Sequence, residues 1–373
     1  FEQLEQNTGK DIRLVVEEIN KLVEDIGEVN VAINKLKFGG GSQQASDLLD
    51  LREQLILELS QKIDISVLNE DAGTMSIFVG NGQTIVNGSN VTLLGTVPNS
   101  ADPTQDLIVY KGLTAAVDLS ASLRGGGELG ALLDFRDQLL KDTRNDLGRV
   151  AIALAETFNT QHNSGMDLNG NLGSDFFSVG SPRITSFSGN PGTASISATF
   201  SDIGALTRSD YTLAYDGTSW RMTSDSGSVS ALVADASPAN TTLTFEGFTL
   251  TIDGAASTPA AGDQYRIKPT SGGAGSLNVV VTDPLLITAA IPVRTATSLN
   301  NLGTTQIGAG IVTDVSNPAL LNTVTLTFDT PPSTFRSTST VTVGASVFAA
   351  GTAIPYNSGM TIDSNGWQTT LSG

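Results

Sequence analysis

The sequence predicts a multidomain α+β protein: an α-helical bundle or coiled-coil unit with a small β excursion, followed by one or two antiparallel β domains of sandwich or barrel type. Three observations lead there. Apolar residues recur at heptad spacing from Ile12 to Leu36. The apolar period falls to about two after Ile63 and becomes helical again after Gly125. From Val179 onward the chain turns rich in Ser, Thr, Gly and Ala and reads as short strands between turns.

In the first helix Ile12, Ile19, Ile26 and Ile33 share one heptad position, and Val15, Leu22, Val29 and Leu36 share the next apolar one. That alternation of three- and four-residue steps is a coiled-coil type of seam. Glu17, Glu18, Lys21, Glu24, Asp25 and Glu28 lie off it and read as a solvated face. Phe38–Ser42, FGGGS, ends the helix through glycine. A second helix, about Asp47 to Lys62, carries Leu48, Leu51, Leu55 and Leu59 as its stripe, so the two form an antiparallel hairpin. The seam serves either this intramolecular pair or assembly with another chain.

Strands follow in IDISVLN, TMSIFV, QTIVNG, NVTLLG and DLIVY, separated by turns at Asp71-Ala72-Gly73, Asn81-Gly82 and Asn87-Gly88. Gly125–Gly127 opens a third helix, about Glu128 to Gln161, striped by Leu129, Leu132, Leu133, Leu139, Leu140, Leu147, Val150, Leu154 and Phe158. The later strands are PRITSFS, ASISATF, DYTLAYD, SWRMTSD, TTLTFEG, FTLTIDG and DQYRIKP, then NTVTLTFDT, STVTVGA, GMTIDS and GWQTTLSG. Pro284 and Pro292 mark a crossover between the two groups. Domains are therefore expected at 1–66 with 120–165 (a helical rod), 67–119 (the β excursion), 178–283 (a β domain) and 284–373 (a second, truncated β domain). The last echoes the one before it but stops short of a closing strand. It is thus expected to leave an open sheet edge and to be the least stable part.

Composition narrows function. The net charge of −18 opposes phosphate backbones and anionic membrane surfaces alike, so neither nucleic acid nor membrane insertion is expected. With no Cys and one His, disulfides, thiolate metal sites, cysteine nucleophiles and multi-histidine centres are excluded. His162 closes the third helix, where a basic side chain complements the helix dipole, and capping or solvation is the reading. Asp167, Asn169, Asn171 and Asp175 evoke a calcium loop, but its sixth and twelfth positions are Leu172 and Ser178, where Gly and Glu are required. Trp220 and Trp367 read as core fillers. No catalytic set and no cofactor site emerge. No basic and apolar leader is visible, and both ends read as cut from a longer protein.

The stretches LLDLREQLILELSQKIDISV, Leu48–Val67, and GGGELGALLDFRDQLLKDTRNDLG, Gly125–Gly148, with DLNGN and DFF after them, resemble the flagellar hook-associated protein 1 family. The specific wording covers about residues 42–177. The resemblance implies a non-enzymatic structural protein joining hook to filament. It implies extracellular flagellar placement after export without a cleaved signal peptide. Its implied partners are copies of itself, the hook protein, the second junction protein, and an export chaperone acting on the absent C-terminal part. In that family terminal helices drive axial assembly. Their absence would leave a soluble chain with an exposed apolar stripe along Ile12–Leu36. Ile12, Ile19, Leu22, Ile26, Ile33, Leu48, Leu55, Leu132, Leu139, Leu147 and Leu154 are the expected core or interface positions. Rival readings are another flagellar axial protein, such as the second junction protein or a flagellin, a surface adhesin, and a peptidase or glycosidase grafted into the β region.

Overall fold

The computed structural model describes residues 1–39, 42–69, 75–111, 117–227, 229–234, 241–254, 258–330 and 333–373. They form two compact units, one of residues 1–150 with 181–275 and one of residues 151–180 with 276–373.

The first unit begins with helices α1 (Glu2–Gly39) and α2 (Ser42–Lys62). Lys62 pairs with Glu18 at 2.6 Å and Arg52 donates to Asn30 at 3.1 Å, so the helices run antiparallel. The glycine stop expected at Phe38–Ser42 falls partly on residues 40–41, outside the described residues. Ile12, Val15, Ile19, Ile26, Val29 and Ile33 are buried. The apolar stripe expected to lie bare along α1 is therefore covered from within the chain. Each of those isoleucines contributes roughly 1.5–3 kcal/mol by leaving water.

The cover comes from α2 and from the β excursion. Strands β1 (Ile65–Asn69), β2 (Met75–Val79), β3 (Gln83–Asn87) and β4 (Asn90–Val91) form one antiparallel sheet in chain order, and β5 (Leu94–Asn99) pairs with β6 (Asp102–Tyr110). The β1–β2 turn at Asp71-Ala72-Gly73 lies outside the described residues, whereas Gly82 and Gly88 take the positive φ that their turns need. Ile77, Val79, Ile85, Val86, Leu94 and Ile108 join Ile12, Ile19 and Ile26 in one core. Asn20 fastens β5 to the helix, donating to Leu94 O and accepting from Leu94 N–H, both at 2.8 Å.

Helix α3 (Gly127–Asp134) runs into a π-helical segment, Phe135–Leu140, and then into α4 (Lys141–Asn163). Leu129 and Leu133 reach the same core.

Residues 181–275 build a sandwich. One sheet orders Val229–Ala234, Ser219–Ser224, Tyr211–Tyr215, Gln264–Lys268 and Arg183–Ser186, and the other Thr241–Phe245, Phe248–Ile252 and Ile196–Phe200. Alternation puts Tyr211, Leu213 and Tyr215 inward on one sheet and Phe248, Leu250 and Ile252 inward on the other. The Tyr211 ring meets Phe245 and Phe248 of the opposite sheet at 5.4 and 5.3 Å between centroids, and Trp220 is fully buried between Tyr215 and Tyr265.

In the second unit the final strand, Trp367–Ser372, pairs with Met360–Ser364 on one side and with Gln306–Ile307 and Ile311–Val312 on the other. The open edge expected beside that strand is therefore occupied, because residues 306–312 return to the sheet. Phe335, Val341, Ile354, Ile362 and Leu371 form the core under it. Residues 151–180 group with these strands, and residues 181–275 with the helical part. Asn159 ties the end of α4 to the chain that follows it. Its Oδ1 accepts the N–H groups of Phe176 and Phe177 at 2.9 Å, and its Nδ2 donates to Phe177 O at 2.8 Å.

Candidate functional site

His162 is buried, and the expectation of a solvated or capping imidazole fails. Its Nε2 accepts the Thr288 N–H at 3.2 Å, so the ring proton sits on Nδ1, which donates to Ser174 O at 2.6 Å. Phe158 and Phe176 flank the ring. Both nitrogens are spent on backbone. The Asp167 loop also closes on itself. Oδ1 accepts the N–H groups of Asn169 and Asn171 at 2.8 and 2.7 Å, and these bonds hold the carboxyl below its ordinary range. No group of three or more His, Cys, Asp or Glu that could hold a metal occurs among the described residues.

The packing residues divide by depth. Ile12, Ile19, Ile26 and Ile33 are buried, while Leu22, Leu55 and Leu132 are half-buried against the first core. Leu48 is half-buried as well. Leu139, Leu147 and Leu154 are 61%, 46% and 52% exposed, so they are surface positions and not core. The π segment accounts for Leu147 and Leu154, which follow it. It inserts one residue into the helical ladder and sets everything after it back by about 100°. A stripe read at an even α-helical period across the segment therefore turns outward. Asn145, Gly148, Ile152, Ala155, Asn159 and His162 take the inward azimuth. Sequence reasoning passed over Asn145 and Asn159 and read His162 as capping or solvated, since Asn and His within a helix look like surface residues.

The densest chemistry lies within the first unit, where α4 and the β5–β6 hairpin meet the sandwich. Lys268 Nζ stands 2.5 Å from Asp102 Oδ2, and Lys141 pairs with Asp225. Asn145 Nδ2 donates to Asp210 Oδ1 at 3.0 Å and to Arg208 O at 2.8 Å. Arg144 donates to Ser271 O at 3.1 Å and clamps Glu5 at 2.7 and 2.8 Å. Gly148 makes room for the approach, because a Cβ there would fall 1.8 Å from Thr270 O. A cavity of about 470 Å³ runs through this joint, with Arg124, Arg136, Asp137 and Arg266 also on its wall.

Burial raises the carboxyls of this joint, and neighbouring cations decide where each one ends. At Asp102 the Lys268 ammonium, with Thr104, outweighs burial and holds the carboxyl low. At Asp137 the guanidiniums of Arg136 and Arg124 do the same. At Asp210 burial wins over Arg266, Lys268 and Asn145, and the carboxyl sits above its ordinary range. Opposed charges, paired with one another, make a fitted joint.

Comparison with known proteins agrees with this architecture. The model of the "Flagellar hook-associated protein FlgK helical domain" matches residues 1–177, and that of a "Flagellar hook-associated protein 1, D2-like domain" matches residues 185–269. The solved structure of the flagellar hook junction protein FlgK from Burkholderia pseudomallei superposes with a TM-score of 0.85 at 31% identity, covering 100% of this chain and 71% of that one. The chain belongs to the flagellar hook-associated protein 1 family. Flagellar hook-associated protein 1 of Escherichia coli K12 is 37% identical over 276 residues, 74% of this chain and 50% of that protein. The Salmonella typhimurium relative is 37% identical over 281 residues, 74% of this chain and 49% of that protein. The chain thus spans about half the length of the curated hook-associated proteins it matches. The charged joint lies where the matched helical domain meets the matched D2-like sandwich.

Proposed function

We propose that this chain is the core of a structural protein that joins the flagellar hook to the filament, without catalysis. The observation that carries the reading is likeness along the whole chain to the hook junction protein of Burkholderia pseudomallei. The mechanism is geometric. The helical part stacks against neighbouring subunits, and the sandwiches project from it and make lateral contacts. Ile12, Ile19, Ile26 and Ile33 keep the helical part rigid. Leu139, Leu147 and Leu154, being exposed, are the positions proposed to touch neighbours.

The proposed partners are further copies, the hook protein and the second junction protein, with an export chaperone acting on sequence outside this chain. Export to the cell exterior without a cleaved signal is part of the proposal. A cysteine-free chain suits passage in an unfolded state, since no disulfide can form on the way. No helix among the described residues is long and apolar enough to cross a membrane.

Labelled full-length protein added to purified hooks and imaged by electron microscopy tests the reading. Label confined to the distal tip is the expected result, and it should weaken when Leu139, Leu147 and Leu154 are replaced by serine. Label scattered along the hook or absent would refute the junction role. Label on host surfaces would point to an adhesin.

A further inference from the structure

The sandwich of residues 181–275 groups with residues 1–150, yet it is not joined to them directly, because residues 151–180 intervene. Its two covalent ends lie side by side, Gly180 N–H donating to Ser276 Oγ at 2.9 Å. Gly180 stands at one end, and Gly272, Gly273 and Gly275 at the other. Two adjacent connections therefore make a neck at one end of the sandwich, with Gly273–Ser276 forming a short helical turn in it. Contacts away from the neck add to the hold of the sandwich on the helices.

Beside the close packing of Gly148 on Thr270, several of those contacts are polar. Lys268 meets Asp102, Lys141 meets Asp225, Asn145 meets Asp210, and Arg144 meets Ser271 O. Ser188 N–H donates to Ser100 O at 3.3 Å. The apolar core of the helical part, from Ile12 to Leu133, contains no sandwich residue among the described residues. The two lysine pairs are 15–27% exposed in their side chains, so water and salt reach them. A polar joint holds one orientation sharply, since its bonds are directional and a small rotation breaks several together. It also yields to charge perturbation in a way that a greasy joint would not.

We propose that these contacts form a charge-operated latch. While Lys268–Asp102 and Lys141–Asp225 are closed, the sandwich is fixed against α4 and the β5–β6 hairpin, and when they open it swings as a folded body about its glycine neck. The latch would set the direction in which the sandwich projects and would let that direction change without unfolding either part.

The chain has no cysteine, so two can be introduced at exposed sites, Gln61→Cys on α2 and Ser201→Cys on the sandwich, and labelled for energy transfer. Reversing two charges, K268D with K141D, should cut transfer while the near-UV signal of buried Trp220 persists. Adding D102K and D225K should restore transfer, because the pairs re-form with opposite polarity. In the chain with native charges, transfer should fall gradually as salt rises to about 1 M, where screening acts within roughly 3 Å. This arm stands even if a reversed variant does not fold. Transfer unchanged by reversal and by salt would overturn the latch, as would a loss that the swapped pairs fail to restore.

Discussion

A Cβ placed on Gly148 would lie 1.8 Å from the carbonyl oxygen of Thr270, so the backbones of α4 and the sandwich come close together here. Two effects compete when Gly148 becomes Ala. Helix propensity favours alanine by about 1 kcal/mol. The clash is against backbone and cannot be relieved by a rotamer change, and overpacking of that kind costs about 1–3 kcal/mol. Gly148→Ala is therefore expected to lower stability in urea unfolding and to loosen the joint. A variant more stable than the parent would mean that the approach is absent in solution.

Acid should act on the joint in two opposed stages. Asp210 has a raised carboxyl value, so its contribution is full below the ordinary aspartate value and is lost as pH rises through the folded one. Asp102 and Asp137 have lowered values, so their contribution is present above the ordinary value and is lost as pH falls through the folded one. Thermal midpoints measured across pH should hold or rise slightly as neutral solution is mildly acidified and then fall steeply below the ordinary aspartate range, near 3.9. Asp210→Asn should remove the early rise, and Asp102→Asn should shallow the later fall.

Glu246 occupies a left-handed conformation, φ 35°, at the first position of the two-residue turn it forms with Gly247, φ 88°. Turns of that shape prefer Asn-Gly, and a non-glycine residue there carries about 1–2 kcal/mol of strain. The Glu246 carboxylate accepts hydrogen bonds from the hydroxyls of Tyr211 and, at 3.1 Å, Thr207. Burial first, and then this carboxylate, raise the Tyr211 phenol. Hydrogen bonds to a charged group are worth about 1.5–3 kcal/mol, so they outweigh the strain. Glu246→Asn should destabilise the parent chain. In a Tyr211→Phe, Thr207→Val background the sign should reverse. A double-mutant cycle in urea measures both, and the same sign in both backgrounds would contradict the account.

The two classes of apolar helix residue should respond oppositely to truncation. Ile19, fully buried, should lose about 2–5 kcal/mol on replacement by Ala. Leu147, 46% exposed, should change stability by no more than about 0.5 kcal/mol on replacement by Ser, yet should weaken tip incorporation of the full-length protein. A large stability loss at Leu147 would place it in a core.

The heptad of Ile12, Ile19, Ile26 and Ile33 was legible in the sequence because burial along one straight helix has one period and one phase. The strand–turn units of the sandwiches were legible for the same reason, through alternation and Asp-Gly or Asn-Gly turns such as Asp216-Gly217. The outward turn of Leu147 and Leu154 was not, since a π segment changes phase without a marker in residue type. The joint was hidden too. Its pairs link Lys268 to Asp102 and Asn145 to Asp210, far apart in the chain, and single charged residues in a strongly acidic sequence do not announce their partners. The strand Val229–Ala234, written VSALVA, resembles the Ser- and Ala-rich sequence around it and was passed over.

His162 has one more consequence. A chain with a single imidazole yields a single imidazole signal in a proton–nitrogen spectrum, with no assignment to dispute. Because one ring nitrogen gives its proton to Ser174 and the other receives one from Thr288, that signal reports two separate backbone contacts at once. The molecule therefore carries its own spectroscopic label at the foot of α4, ready to follow refolding or incorporation into a larger assembly without a probe being added.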